Sequence, residues 1–255
     1  MTEMLHLDRV CVGWPGHAPV LRDISLTLHH GERVGLVGPN GAGKSSLFLS
    51  IAGVLAPQAG TIRLNGQALR TGQFLPDVAL VFQQAEDQLF CPTLAEDVAF
   101  GARNMGLEGA DLDARVAQAL AACGLSALAD RPVHQLSGGE KRRACIAGAL
   151  VMRPALMLLD EPSAALDLRN RRNLIALLGR TNQALVVASH DLELVLELCP
   201  RVIVIDQGRI CADGPVRQVL GNAGLMAAHG QEVPHSLTPH APAAHVHLPN
   251  PAAGL

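Results

Sequence analysis

Short apolar runs alternate with helical patterns along much of the chain. Five runs have the continuous apolar character of buried strands, namely "RVGLV" (33–37), "VALVFQ" (78–83), "ALMLLD" (155–160), "ALVVAS" (184–189) and "RVIVID" (201–206). Helical patterns begin at about Lys44, Asp167 and Leu192. Apolar strands that alternate with helices predict a mostly parallel sheet covered on both faces.

Other segments depart from this alternation. Residues 4–12 and 20–28 alternate between apolar and polar positions, which predicts half-buried strands, and "GTIRLNGQAL" (60–69) predicts a hairpin. From about Thr93 onward the pattern becomes helical and rich in alanine. We therefore expect a helical subdomain, at about residues 85–150, inserted into the core.

Composition narrows the class of protein. The 255 residues include 20 basic and 23 acidic side chains, which leaves no general electrostatic footprint for nucleic acid. No apolar run approaches the roughly 18 residues that span a bilayer, and the acidic start with Glu3 and Asp8 is unlike a signal peptide. Six scattered cysteines without a CxxC pair indicate small buried residues in a reducing compartment. We expect a cytosolic protein, which still allows a membrane partner.

The C-terminal segment has a composition of its own. From Met226 onward it holds five prolines and five histidines without helical periodicity. This predicts a folded body at residues 1–225 and a disordered tail at 226–255. Neutral imidazole suits Ni²⁺, Co²⁺ or Zn²⁺, and His245 and His247 form the tightest candidate pair. The alternative is a tail whose histidines bind nothing.

A glycine-rich loop is the strongest candidate for chemistry. "GPNGAGKSS" (38–46) fits G-x-x-x-x-G-K-[ST] and lies between a predicted strand and a predicted helix, which is the context of a phosphate-binding loop. Glycines let backbone N–H groups turn toward phosphates, and the helix N-terminus adds positive potential. Lys44 would neutralise the β- and γ-phosphates, and Ser45 would hold Mg²⁺. The candidate nucleotide ligands are Gly38, Asn40, Gly41, Gly43, Lys44, Ser45 and Ser46.

Two adjacent carboxylates end the predicted strand in "LMLLDEP" (156–162). Open α/β sheets bind ligands at the carboxyl ends of their strands. We expect Asp160 to bind the metal ion, directly or through water, and Glu161 to polarise the attacking water. A solvated turn is the usual alternative for such a pair, but it does not suit the end of a buried strand.

The stretch "HQLSGGEKRRACIAGAL" (134–150) contains a second candidate phosphate site. Ser137 followed by Glu140 fits a capping box, in which each side chain satisfies a backbone N–H of the other residue. A cap does not need Gly138 and Gly139, and each glycine in a helix interior costs about 1 kcal/mol. The two glycines are explained if a ligand approaches the backbone closely.

These motifs together resemble the ATP-binding cassette (ABC) ATPases. "LSGGE" is similar to the signature loop of that family, with Glu140 where Gln is commoner. Gln83 in "VFQQ" resembles the Q-loop, Asp167 in "SAALD" the D-loop, and His190 in "ASHD" the switch histidine. Trp14 stands at the position that stacks on adenine, where the family usually has Tyr.

The resemblance covers residues 4 to about 222 and rests on six ordered motifs. It implies a P-loop NTPase fold with a mostly parallel core sheet, an N-terminal antiparallel β subdomain and an inserted helical subdomain. It also implies ATP and Mg²⁺ as cofactors and ATP hydrolysis as the activity. Gln83 would then be a catalytic residue and a Mg²⁺ ligand, and His190 would contact the γ-phosphate and help Glu161 hold the water.

The resemblance also implies a role for the second site. Cassettes pair head to tail, so Ser137, Gly138 and Gly139 of one chain would close on the γ-phosphate held by Lys44 of the other, with Asp167 at the same nucleotide. Two-fold symmetry would form both composite sites at once. A homodimer and a heterodimer with a second cassette both remain open.

The segment "VFQQAEDQLFCPTLAEDVAFGARNMGL" (81–107) resembles the ATPases of energy-coupling factor importers, especially those for cobalt and nickel. That resemblance implies an integral membrane coupling protein, a substrate-binding membrane subunit and a position on the cytoplasmic face of the membrane. Leu89 and Phe90 are then either exposed anchors for the membrane partner or core residues. The alternatives are a vitamin importer, a soluble ABC ATPase, or a protein that mainly binds metal through its tail.

Overall fold

The computed structural model describes residues 2–238, which fold into two sheets and a set of helices around them. The strands are β1 Glu3–Val12, β2 Leu21–His29, β3 Arg33–Val37, β4 Pro57–Leu64, β5 Gln67–Ala68, β6 Val78–Val81, β7 Leu156–Asp160, β8 Ala184–Ala188, β9 Arg201–Asp206 and β10 Arg209–Pro215. The helices are α1 Lys44–Ile51, α2 Leu94–Asn104, α3 Gly109–Ala122, α4 Gly138–Leu150, α5 Leu168–Gly179, α6 Leu192–Leu198, α7 Val216–Leu220 and α8 Ala223–Ala228.

The larger sheet has six strands in the order β10-β9-β3-β8-β7-β6. All neighbouring strands are parallel except β10, which pairs antiparallel with β9 at one edge. This confirms the predicted mostly parallel sheet. The continuous apolar runs are explained by burial on both faces, because successive side chains point to opposite sides.

Strand β7 illustrates how one apolar run serves two cores. Leu156 and Leu158 are fully buried in the core that the larger sheet shares with α1 and the smaller sheet. Met157 and Leu159 are fully buried in the core on the opposite face, among the other helices. The larger sheet is therefore the middle layer, and its strand ends meet at the edge where ligands bind in open α/β sheets.

The smaller sheet is antiparallel, with the strand order β2-β1-β4-β5. Residues of β1 and β2 alternate between buried and more exposed positions, as expected for a sheet with one face on a core. Helix α1 packs in the same core, where Phe48 is among the largest fully buried side chains. The phosphate-binding loop that precedes α1 is thus anchored by both sheets.

The three longest connecting helices between β6 and β7 are α2, α3 and α4, and they pack on one another. They lie where the alanine-rich pattern predicted an inserted helical subdomain at about residues 85–150. Thr93 caps α2 with a capping box to Glu96, and Ser137 caps α4 with a capping box to Glu140. Both helices therefore begin at residues set by local sequence.

The folded body continues beyond the boundary expected at residue 225. Helix α8 crosses that boundary, and Met226 is fully buried. His229 Nδ1 lies 3.0 Å from Asp206 Oδ2, and Ser236 Oγ donates to Glu193 Oε2 at 2.6 Å. Residues 226–238 thus pack on the body, because Met226 and these polar contacts hold them. The pair His245 and His247 lies outside the described residues.

Within residues 2–238, none of the helices combines the length and apolar character needed to cross a membrane. The same part of the chain contains no group of three or more histidine, cysteine or carboxylate side chains arranged to hold a metal ion.

Candidate active site

The loop after β3 has a backbone that requires glycine. Gly38 has φ 153° and Gly43 has φ 104°, both on the positive side that side chains disfavour. A Cβ at Gly38 would lie 1.9 Å from the carbonyl oxygen of Ile205, and one at Gly43 would lie 2.4 Å from Leu21 Cδ2. The loop is therefore pressed against its neighbours while its other side stays open to a cavity.

Lys44 begins α1 and lies almost entirely buried. Its Nζ donates to the carbonyl oxygens of Gly38 at 2.7 Å and Pro39 at 3.0 Å. Burial lowers the pKa of the Lys44 ammonium, and the carboxylates of Glu161 and Asp160 partly oppose that shift. The loop thus holds a cation close to two carboxylates, beside backbone N–H groups at a helix N-terminus.

Asp160 ends β7 and is buried. Ser45 Oγ donates to Asp160 Oδ2 at 2.7 Å, although the two residues are 115 positions apart in the chain. Gln83 lines the same cavity. A hydroxyl, a carboxylate and an amide oxygen are hard donors of the kind that Mg²⁺ prefers, so this donor set fits the expected metal ion.

Glu161 and His190 form the opposite wall. Glu161 is buried and has φ 45°, a conformation unusual for a residue with a side chain. Its carboxylate accepts a hydrogen bond from the backbone N–H of His190 at 3.1 Å and one from Ser189 Oγ at 3.4 Å. His190 Nε2 lies 2.8 Å from Asn40 Oδ1 and 3.6 Å from Glu161 Oε1. A carboxylate and an imidazole so close together can orient a water molecule and accept its proton.

These groups share one cavity of about 230 Å³. The predicted site residues that line it are Asn40, Gly41, Gly43, Lys44, Ser45, Ser46, Gln83, Asp160, Glu161 and His190. Gly38 belongs to the same loop but does not line the cavity. Its carbonyl oxygen accepts a hydrogen bond from Lys44 Nζ. The remaining candidates are not in this cavity.

The signature segment lies elsewhere on the chain. Ser137 caps α4, and Ser137 Oγ and its backbone N–H both lie 2.8 Å from Glu140 Oε2. A Cβ at Gly139 would lie 2.9 Å from Asn170 Cγ, whereas one at Gly138 would meet open space. The capping-box interpretation is therefore correct as local structure. Close packing within this chain explains Gly139, and it does not explain Gly138.

Asp167 and Trp14 are both outside the cavity as well. Asp167 caps α5 and accepts from the backbone N–H of Asn170 at 2.7 Å. Asn170 Oδ1 in turn accepts from Arg143 at 3.0 Å, which connects the D-loop to the signature helix. Trp14 follows β1 and is 51% exposed, while Val20 of the same connection lines the cavity. An exposed indole is free to stack on a base.

Sequence reasoning missed Arg142, which connects the signature helix to the Q-loop. The side chain is buried, and Nη1 donates to the carbonyl oxygen of Phe82 at 2.6 Å while Nη2 donates to that of Gln83. Next to it, Lys141 Nζ lies 3.0 Å from Glu86 Oε1. The only sequence signal is a run of basic residues after "LSGGE", which does not reveal which one turns inward.

We expect Arg142→Met to destabilise the fold, because the carbonyls of Phe82 and Gln83 lose their donors. The free energy of unfolding in urea should fall by about 1–3 kcal/mol, the usual cost of an unsatisfied buried group. ATP hydrolysis should slow as well, since Gln83 lines the cavity. Arg172→Met at an exposed position of α5 is the control and should change stability by less than about 0.5 kcal/mol. Equal effects of the two substitutions would contradict this role.

Known proteins resemble the chain along nearly its whole length. A family profile described as ABC transporter matches residues 21–164. The cobalt import ATP-binding protein CbiO of Rhodobacter capsulatus is 45% identical over 92% of this chain and 86% of its own length. The energy-coupling factor transporter ATP-binding protein EcfA of Methanothermobacter thermautotrophicus is 38% identical over 91% of this chain and 78% of its own length.

A solved structure agrees with these relatives. The protein cbiO1 from Clostridium perfringens, described as part of the ABC transporter complex cbiONQ, matches with a TM-score of 0.79 and 31% identity. That match covers 89% of this chain and 94% of the other. The chain therefore belongs to the ABC transporter family of ATP-binding proteins.

Proposed function

We propose that this chain is the ATP-hydrolysing subunit of an energy-coupling factor type importer for cobalt or nickel ions, and that it dimerises when it binds ATP. The observation that carries the proposal is the single cavity shared by Lys44, Ser45, Asp160, Glu161 and His190. The cargo class is supported by relatives named for cobalt import and for the energy-coupling factor. It is also supported by the segment 81–107.

Each residue of the cavity has its own role in phosphoryl transfer. Catalysis of that reaction depends mostly on positioning and charge stabilisation. Lys44 and the loop N–H groups neutralise the phosphates. Ser45, Asp160 and Gln83 would hold Mg²⁺, which would supply positive charge against the phosphate oxygens. Glu161 accepts the proton of the attacking water.

His190 and Trp14 complete the proposed site in one chain. His190 keeps the water and the γ-phosphate in line from a position fixed by Asn40 and Glu161. The exposed indole of Trp14 stacks on adenine, which gives the nucleotide a hydrophobic contact at the end remote from Lys44.

The separation of the signature residues from the cavity supports a composite site. Ser137 and Gly138 are exposed at the start of α4, and Gly138 has open space where a phosphate of another chain's nucleotide can approach. The backbone N–H groups at the start of α4 favour an anion there. ATP would thus join two chains, with Asp167 at the same interface, and hydrolysis would release them.

An exposed aromatic pair is the proposed contact with the membrane partner. Phe90 and Phe100 are 64% and 45% exposed, and their rings meet edge to face with centroids 4.8 Å apart. Leu89, by contrast, packs against the core. Phe90 is thus a suitable anchor, since aromatic side chains, Phe included, are enriched at protein interfaces. Binding there would hold the chain on the cytoplasmic face of the membrane.

The variant Glu161→Gln should bind ATP, hydrolyse it very slowly and accumulate as a dimer, because the amide cannot take the proton of the attacking water. Hydrolysis should fall by at least about 100-fold, the lower range for loss of a general base. The dimer is measured by size-exclusion chromatography with light scattering, with ATP and Mg²⁺. Glu232→Gln, at an exposed position outside the cavity, should behave as wild type. Normal turnover by Glu161→Gln would refute the assignment.

Replacing Phe90 and Phe100 together by serine should abolish copurification of a multi-helix membrane protein while the isolated subunit still hydrolyses ATP. The isolated subunit should stay active because Phe90 and Phe100 lie on the surface and do not line the nucleotide cavity. Phe74→Ser, at another exposed phenylalanine, is the matched control. The partners are identified after purification from mildly solubilised membranes. Retention of the membrane protein by the double variant would contradict the proposed contact, and only soluble partners for the wild type would indicate a soluble ABC ATPase.

A further inference from the structure

A second cavity lies on the helical side of the molecule, away from the phosphate-binding loop. It has a volume of about 730 Å³, within the range of small-molecule pockets. Helices α3, α4 and α5 and the connection from α5 to β8 form its walls. The cavity therefore lies between the inserted helices and the core, and its lining shares no residue with the candidate active site.

The charged side chains that line this cavity are all positive. Four arginines line it, Arg115, Arg143, Arg153 and Arg180, and no Asp or Glu of the described chain does. The whole sequence, by contrast, has more acidic than basic side chains. None of the four arginines forms an ion pair with a carboxylate of residues 2–238. Hydrogen bonds from Ser137 lower the pKa of the Glu140 carboxylate, and the charge of Arg143 adds to that shift. Four positive side chains along one cavity favour an anion there.

Two of the four arginines are held by a side-chain hydrogen bond, and all four keep free donors. Arg143 uses one nitrogen for Asn170, and Arg153 uses one for Gln118 at 3.0 Å. Each guanidinium has five N–H donors, so most donors of these two remain available. Arg115 and Arg180 have no side-chain hydrogen bond within the described chain. Arginine suits phosphate and carboxylate groups because its planar fork matches them with two parallel hydrogen bonds.

Hydrogen bonds also fix the backbone that carries one of the four arginines. Arg33 donates to the carbonyl oxygens of Gly179 at 2.8 Å and Thr181 at 3.1 Å, which fixes the turn that carries Arg180. Arg153 has φ 54°, the left-handed position after a helix where glycine or asparagine is usual. This backbone conformation sets where the Arg153 side chain leaves the end of α4.

The uncharged lining indicates what else the ligand contains. Asn173, Asn182 and Gln183 add amide groups, while Leu150 and Leu177 contribute apolar surface. We propose that this cavity binds a small organic anion with at least two phosphate or carboxylate groups. Such a ligand would bridge the inserted helices and α5, and it would stabilise the chain by mass action. This site is independent of the proposed transport function.

The test uses the full chain without nucleotide, because an ATP analogue carries several phosphate groups and would compete for the cavity. The double variants described below separate binding in this cavity from binding at the phosphate-binding loop. Fructose 1,6-bisphosphate and inorganic phosphate are titrated separately by calorimetry. We expect the bisphosphate to bind at one site per chain, and to bind at least about tenfold more tightly than inorganic phosphate, since two groups engage several arginines. Its affinity should fall as salt rises.

Two double variants distinguish a site from general charge. Arg115→Gln with Arg180→Gln should weaken bisphosphate binding by at least about tenfold, because two uncommitted guanidinium groups are lost. Arg172→Gln with Arg209→Gln removes the same charge from exposed positions outside the cavity and should leave the affinity unchanged. Circular dichroism verifies that both variants fold.

Three results would overturn the proposal. The first is that wild type does not bind the bisphosphate at about 10 mM, a concentration that would detect even a millimolar Kd. The second is equal affinity for the bisphosphate and inorganic phosphate. The third is an equal loss of affinity in the two double variants. ATP hydrolysis without added bisphosphate should be the same in all three proteins. Failure of this test therefore leaves the ATPase assignment standing.

Discussion

The hydrogen bond from Ser45 Oγ to Asp160 Oδ2 connects the two halves of the nucleotide site, and the parallel sheet makes it possible. Strands β3, β8 and β7 are neighbours, so their carboxyl ends meet at one edge. That edge receives the phosphate-binding loop from β3, Ser189 and His190 from β8, and Asp160 and Glu161 from β7. Gln83 joins them from the segment after β6, the neighbour of β7. The sheet order thus assembles a site from four separate segments of the chain at the carboxyl ends of its strands.

Local patterns predicted much of this arrangement. The strands β3, β7, β8 and β9 are continuous apolar runs, and the glycine loop and the capping box at Ser137 are short motifs with a fixed geometry. Other features depend on partners distant in sequence. Arg142 is buried because it finds the carbonyls of Phe82 and Gln83, and its helix α4 is buried on several sides, so no amphipathic pattern identifies the inward residue.

The folded body extends beyond residue 225, which the sequence does not indicate, for a related reason. The many prolines and histidines from Met226 onward give no helical pattern in the sequence. Nevertheless a short helix crosses residue 225, and its fully buried Met226 anchors it to the body. The arginine-lined cavity is also invisible in the sequence, since its four arginines come from separate segments. Sequence therefore identifies the motifs, and the structure decides which of them face each other.

The proposed mechanism depends on a nucleotide held between Lys44 of one chain and Ser137 of another. Lys44→Ala and Ser137→Arg should each inactivate the protein as a pure variant, so the decisive measurement is the ATP hydrolysis rate of the two mixed in equal amounts. Random pairing gives mixed dimers in half of the cases, each with one intact site, so the mixture should recover about a quarter of wild-type activity. A mixture no more active than the separate variants would contradict the composite site.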